Sequence, residues 1–104
     1  MTSLDENLAR ARNYLARFRE QGVLNRIAGE DLPATDGATF DTVSPIDMAR
    51  LASVARGGSA EIDKAALAAK AAFPDWARLD GGKRRKLLNA IADAIEARAE
   101  EIAF

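Results

Sequence analysis

Residues 39–58 read TFDTVSPIDMARLASVARGG, and this stretch decides the fold. Thr39 to Val43 mixes β-branched and aromatic residues, as a strand does. Ser44-Pro45-Ile46-Asp47 is turn material, with Pro45 fixing φ at the second position. Leu51 to Ala55 is the return strand. Residues 39–55 therefore predict an antiparallel hairpin, with a connection too long for a two-residue primed turn. Gly57-Gly58 breaks the second strand, and Ser59 is the expected cap of a helix. Glu61 and Asp63 fall in its first turn, where the helix dipole favours carboxylates. The helix is predicted to reach about Phe73 and to end at Pro74. Two strands and a helix on one short stretch make this an α/β chain.

On the N-terminal side, Ser3-Leu4-Asp5-Glu6 has capping-box spacing. A helix follows to about Glu20, with Leu4, Leu8, Ala11, Leu15 and Phe18 on one stripe. Glu6 and Arg10 are spaced for an i,i+4 pair. Gly22 is the expected stop. Val23 to Ile27 is a short β-like run closed by Gly29. Leu32-Pro33 and Asp36-Gly37 read as turns. On the C-terminal side a helix is predicted from near Gly82. Its stripe is Leu87, Leu88, Ile91, Ala92, Ile95, Ala99 and Ile102. No Gly, Asn or Pro closes it before Phe104, which is the pattern of a chain cut in mid-helix.

A length of 104 residues fits one domain or part of one. Fifteen basic and sixteen acidic side chains leave a net charge of −1, so no strong field steers the chain to nucleic acid or an anionic membrane. No run has the apolar length of a membrane span. The first 22 residues carry Arg on a helix, but Asp5, Glu6 and Glu20 argue against a transit peptide, and a cytoplasmic protein is expected. With no Cys and no His, the chain has no thiolate and lacks the commonest general base. A zinc site would need at least three carboxylates. Hydrophobic residues make up 48%, but 23 of them are Ala, matched by only 23 Leu, Ile, Val and Phe together. Alanine favours helix and buries little surface. Such helices are expected to pack against something larger than this chain.

The candidates for chemistry all have plainer readings. Lys83-Arg84-Arg85-Lys86 could contact phosphate, but no aromatics are interleaved and Glu96, Glu100 and Glu101 share the helix. A solvated face is the preferred reading. Gly57-Gly58 lacks both the G-x-G-x-x-G spacing and a following Lys-Ser/Thr, so a strand-to-helix turn suffices. Asp41 and Asp47 flank the hairpin as turn residues. Trp76 reads as a packing anchor. The residues alone give an Ala-rich α/β piece with no catalytic constellation.

Five pieces in order resemble the start of the aldehyde dehydrogenase superfamily. They are Ile27-Ala28-Gly29-Glu30, Phe40 to Pro45, Leu51-Ala52-Ser53-Val54-Ala55, Glu61 to Trp76 with its Ala65, Ala69, Ala72 and Phe73, and the helix Arg85 to Ile102. The resemblance covers residues 24–104. Ser44 stands where the family has Asn, the family's Gly in the following loop is missing, and Gly82-Lys83 replaces an acidic residue.

The resemblance implies the N-terminal part of that fold: an N-terminal helix, short antiparallel hairpin strands and two α-helices. Residues 1–22 would be a helical extension, and residues 23–104 the truncated start of a dinucleotide-binding domain. It also implies a Cys thiolate attacking an aldehyde, hydride passing to NAD or NADP, and a Glu activating water for deacylation. No catalytic or cofactor-binding residue falls within this chain. The implied partners are the rest of the dehydrogenase and further copies in a homo-oligomer, with neither nucleic acid nor membrane. Thr42 and Val43 would form half of a monovalent-cation site through backbone carbonyls. The Ser-Pro-Ile-Asp turn and the Val-Ala-Arg-Gly-Gly run point to the branch oxidising semialdehydes from aromatic ring cleavage, 5-carboxymethyl-2-hydroxymuconate semialdehyde among them. Betaine-aldehyde enzymes share much of this segment, and a stand-alone helical interaction module is the other reading.

Overall fold

The computed structural model describes residues 3–104. The first helix, α1 (Leu4–Gln21), is capped as its sequence predicts. Ser3 Oγ accepts from the Glu6 amide at 3.2 Å, and the Ser3 amide donates to the Glu6 carboxylate at 2.8 Å. Gly22 ends the helix at φ +69°. A Cβ there would lie 3.0 Å from the Ser53 carbonyl oxygen, so both conformation and space demand glycine. Val23 then bridges to Val54 in parallel, its amide donating to Ser53 and its carbonyl accepting from Ala55.

Strand β1 (Asn25–Ile27) pairs antiparallel with β2 (Glu30–Leu32). The turn between them is Ala28 at φ +52° and Gly29 at φ +80°. Two left-handed residues in succession make the tight primed connection that matches strand twist. The sequence expectation has no second strand here and places a turn at Leu32-Pro33. Leu32 instead closes β2 opposite Asn25, because the reversal is made earlier, at Ala28-Gly29.

The expected hairpin is present as β3 (Thr39–Val43) and β4 (Arg50–Ala55). Thr39 faces Ala55 and Thr42 faces Ala52, but Val43 faces Arg50. Leu51 is thus the extra residue of an irregular step beside Thr42 and Val43. The tip is held by local bonds: Asp47 accepts from the Ala49 amide at 3.0 Å, and the Ser44 amide donates to the Ala49 carbonyl. Met48 sits at φ +59°.

Helix α2 (Ser59–Arg78) corrects two expectations. Its cap is Gly58, not Ser59. Pro74 lies inside it and does not end it. Proline removes one amide, and the carbonyl this leaves free lies on an exposed stretch where water can serve it. Helix α3 (Gly81–Ala97) starts one residue before the expected Gly82. Asp80 caps it through the Lys83 amide at 2.8 Å. The helix expected to run through Ile102 is broken at Arg98 (φ −114°, ψ 21°), and α4 (Ala99–Ala103) follows.

The closest associations are within the two hairpins, between α1 and β4, and between α2 and β1. The buried apolar residues are Ile27, Ala34, Ala52 and Ala55, small for the most part. The radius of gyration is 17.9 Å, where a compact domain of this length has about 13 Å. The chain exposes 8384 Å², against about 5,700 Å² for a compact monomer of its mass. Apolar helix face is part of what is exposed: Ile62, Leu67, Phe73, Leu87, Leu88, Ile91 and Ile95 are all exposed.

Candidate functional site

Three features position the molecule's working groups. The first is a carboxylate knot at the start of α2. Glu61 is only 7% exposed. One oxygen accepts from the Thr35 amide at 2.6 Å and from the Thr35 hydroxyl at 2.5 Å; the other accepts from the Gly58 amide at 2.8 Å. Thr35 and Gly58 hold the Glu61 pKa down to about 2, far below the ordinary carboxylate range. Gly57 fits beside it because a Cβ there would lie 3.1 Å from the Asn25 amide oxygen. The other half of that amide, Nδ2, is buried with no hydrogen-bond partner among the described residues. Sequence reading puts Glu61 in the first turn. It misses Thr35, 26 positions away in the chain.

This knot decides the Gly57-Gly58 question. A helix N-terminus attracts anions, but here the helix's own third residue fills it. A phosphate would meet Glu61 already in place.

The second feature is a clasp between α1 and α4. Arg10 bonds Glu100 at 2.5 Å, and the Tyr14 hydroxyl donates to the other Glu100 oxygen at 2.5 Å. Arg17 pairs with Glu101. The Tyr14 and Phe104 rings stack at 6.1 Å. Arg98 grips Glu101 through two nitrogens at 2.9 and 2.8 Å. Arg98 and then Arg17 hold the Glu101 pKa down to about 2, while Glu100 is lowered by Tyr14 and Arg10. Tyr14 is raised in return, chiefly by its bond to Glu100. No local motif announces this cluster, since its partners are 84 to 90 positions apart.

The third feature is the irregular step of the β3–β4 ribbon. Thr42 is half-buried and Val43 is exposed on either side of it. Asp41 and Asp47 are not brought together as a catalytic pair: Asp41 is bonded across the ribbon to Arg50 at 2.9 Å, and Asp47 serves the turn. Lys83, Arg85 and Lys86 are exposed on the first turns of α3, with Arg84 half-buried. Trp76 is 41% exposed, without the core that a packing anchor would need. No group of three or more acidic side chains suited to a metal ion occurs among the described residues. No helix among them is long and apolar enough to cross a membrane.

Comparison with known proteins gives this geometry a context. The profile of the aldehyde dehydrogenase family matches residues 32–104. The chain belongs to the aldehyde dehydrogenase family. This dehydrogenase segment is 46% identical over 80 residues to the NADP/NAD-dependent aldehyde dehydrogenase PuuC of Escherichia coli, covering 75% of the segment and 16% of PuuC. It is 36% identical over 77 residues to the hydroxyisobutyraldehyde dehydrogenase of Mycolicibacterium austroafricanum, covering 74% of the segment and 15% of that protein. The crystal structure of HpcC from Thermus thermophilus superposes with a TM-score of 0.87 at 39% identity. That likeness takes in 89% of the segment, more than residues 32–104 alone provide, and 18% of HpcC. The dehydrogenase segment therefore spans less than a fifth of these relatives, and most of its length has the structure of the corresponding part of the aldehyde dehydrogenase fold.

Proposed function

We propose that the chain works as a structural segment of an NAD(P)-dependent aldehyde dehydrogenase oxidising a semialdehyde to a carboxylate, in the breakdown of aromatic compounds. The aldehyde dehydrogenase relatives support the oxidation of an aldehyde, and the Ser-Pro-Ile-Asp turn and Val-Ala-Arg-Gly-Gly run suggest the semialdehyde branch. The observation that carries it is the exposed surface: about 2,700 Å² more in total than a compact chain of this mass shows, by the folded-area scaling, with large apolar side chains along α2 and α3 among it. Surface of that extent belongs against a larger body. On this reading residues 1–22 are an extension and residues 23–104 open the dinucleotide-binding domain. The remaining partners are the rest of the dehydrogenase and a second subunit, in the cytoplasm.

The residues of this chain do not themselves fit a dinucleotide. The one strand-to-helix Gly pair, Gly57-Gly58, leads into a helix start that Glu61 fills. On this reading NAD or NADP is held elsewhere in the enzyme, as are the thiolate and the water-activating carboxylate. Thr42 and Val43 offer backbone carbonyls to a monovalent cation.

The test is a chimera in which this segment replaces the matching part of HpcC. The chimera should reduce NAD or NADP, read as absorbance of the reduced nicotinamide, when given a semialdehyde, and the 104-residue chain alone should not. Potassium in place of a bulky organic cation should raise the chimera's activity or stability if the half-site is real. An inactive or insoluble chimera beside an active parent enzyme would overturn the proposal.

A further inference from the structure

The chain has two Asp-Gly pairs, Asp36-Gly37 and Asp80-Gly81, and no Asn-Gly pair. An Asp-Gly pair can react with itself. The glycine nitrogen attacks the side-chain carboxyl carbon, and no Cβ crowds the ring that forms. Both pairs are exposed to water. In both, the carboxylate accepts one backbone hydrogen bond: Asp36 from the Ala38 amide at 2.9 Å, and Asp80 from the Lys83 amide at 2.8 Å. The difference lies at the nucleophile. The Gly37 amide donates to the Ala34 carbonyl at 2.8 Å, and Gly37 is held at φ +71°. The Gly81 amide opens α3, where a helix supplies no partner, and it bonds nothing among the described residues.

Nothing in the fold demands glycine at position 81. Its backbone is helical, and a Cβ there would meet no atom within 4 Å. At Gly82 a Cβ would lie 3.2 Å from Asp80 Oδ1, so the carboxylate is folded back over the first turn of α3. Its place there matters to the helix. The first turn of α3 holds no acidic residue, and Lys83-Arg84-Arg85-Lys86 follow at once. Cations at this end oppose the helix dipole. Asp80 is the anion that caps it.

We propose that Asp80-Gly81 is a self-modification site, where the chain converts aspartate to isoaspartate and uncaps α3. The Gly81 nitrogen loses its proton and bonds Asp80 Cγ, and a carboxyl oxygen leaves as water, which closes a succinimide ring. Water then adds to one of the two ring carbonyls. Addition at Cγ breaks the N–Cγ bond and restores Asp80. Addition at the main-chain carbon breaks its bond to the Gly81 nitrogen and leaves isoaspartate, with Cβ and Cγ now in the backbone. No atom is gained or lost overall. The lengthened backbone draws the freed carboxylate away from the Lys83 amide. The inference concerns the chain itself and does not depend on the enzymatic reading.

The experiment ages the 104-residue chain in warm neutral buffer, with and without guanidinium chloride, and measures isoaspartate by methyltransferase labelling of tryptic peptides. The two pairs fall on different peptides, residues 27–50 and 79–83. In denaturant the pairs should react at comparable rates. In the native chain Asp80 should outrun Asp36 about tenfold, the factor for first opening the Gly37–Ala34 hydrogen bond. A native ratio equal to the denatured one, a ratio in favour of Asp36, or no isoaspartate in residues 79–83 overturns the proposal. Gly81→Ala fits the open space and favours helix. It should suppress the reaction at Asp80 and leave that at Asp36 unchanged; an undiminished rate at Asp80 overturns the proposal too. In the modified fraction the Lys83 amide should exchange with deuterium about fivefold faster, the factor carried by loss of an N-cap bond. Unchanged exchange overturns the uncapping.

Discussion

Glu61 and Ile91 sit on neighbouring Ala-rich helices and have opposite fates. Glu61, a charge, is 7% exposed with both oxygens bonded, while Ile91, a hydrocarbon, is 56% exposed. In a free-standing domain the exposures would be reversed. At Glu61 the segment settles the carboxylate internally, using a hydroxyl and two amides within reach, although Asn25 Nδ2 nearby is buried with no partner among the described residues. Along α2 and α3 it leaves its apolar surface unsettled. Polar satisfaction is local and can be completed within a short chain. Hydrophobic burial needs volume, and this chain does not have it.

Breaking the apolar side should give the largest effect, and only in context. Leu88→Lys with Ile91→Lys alters two side chains that are 57% and 56% exposed. In the isolated chain the pair should change stability by less than about 0.5 kcal/mol, as surface substitutions do. In the HpcC chimera the same pair places two charges in an apolar contact and should cost about 3 kcal/mol or more, with loss of soluble active enzyme. Urea unfolding of the segment and NAD(P) reduction by the chimera give the two numbers. Equal sensitivity in both settings would mean that this face docks on nothing. A dye that reports exposed apolar surface should likewise brighten with the segment and stay dim with the chimera.

The polar side breaks in acid. Glu61 and Glu101 are each held at about 2, below the ordinary carboxylate value of 4.5. A carboxylate whose pKa is lower in the folded state stabilises that state above its unfolded pKa. The contribution is therefore complete at neutral pH and is lost as pH falls from about 4.5 towards 2. Glu61→Gln should flatten the acid limb of stability against pH. It should also speed exchange at the Thr35 and Gly58 amides, since it keeps an acceptor but removes the charge. Glu101→Gln should flatten the limb less, because its partners are exposed arginines open to screening. An acid limb of unchanged slope in Glu61→Gln would show that the knot is not what acid releases.

What is legible in the sequence follows the same divide. The α1 cap is readable because Ser3 and Glu6 are three apart and bond each other. The β3–β4 ribbon is readable because its strands and turn are contiguous. The family is readable because five weak pieces keep their order. Strand β2 escapes because Glu30-Asp31-Leu32 is too polar and short for a strand signal, and Ala28 gives no warning of a left-handed turn residue. Pro74 misleads because proline's cost depends on whether the freed carbonyl meets water, which only the packing tells. The Thr35–Glu61 bond is invisible because its partners are 26 positions apart. The half-site at Thr42 and Val43 comes from resemblance alone, and the register step beside it cannot be read from residue types.

The smallest expected effect tests the ribbon tip, where resemblance and geometry meet. The family's Gly is missing from this loop, and Met48 stands there at φ +59° with 69% of its surface exposed. A left-handed backbone costs a residue with a Cβ about 1–2 kcal/mol, and an exposed side chain returns little of that by packing. Met48→Gly removes the strain but frees the unfolded chain, which offsets part of the gain. The net should be a stabilisation of about 0.5–1 kcal/mol, read as a higher urea midpoint at unchanged slope. Met48→Ala keeps the Cβ and removes the rest of the side chain, so it should leave the midpoint where it is. If instead Met48→Gly and Met48→Ala both destabilise, the methionine side chain itself is holding something. The tip would then belong with the unsettled apolar helices rather than with the settled polar end.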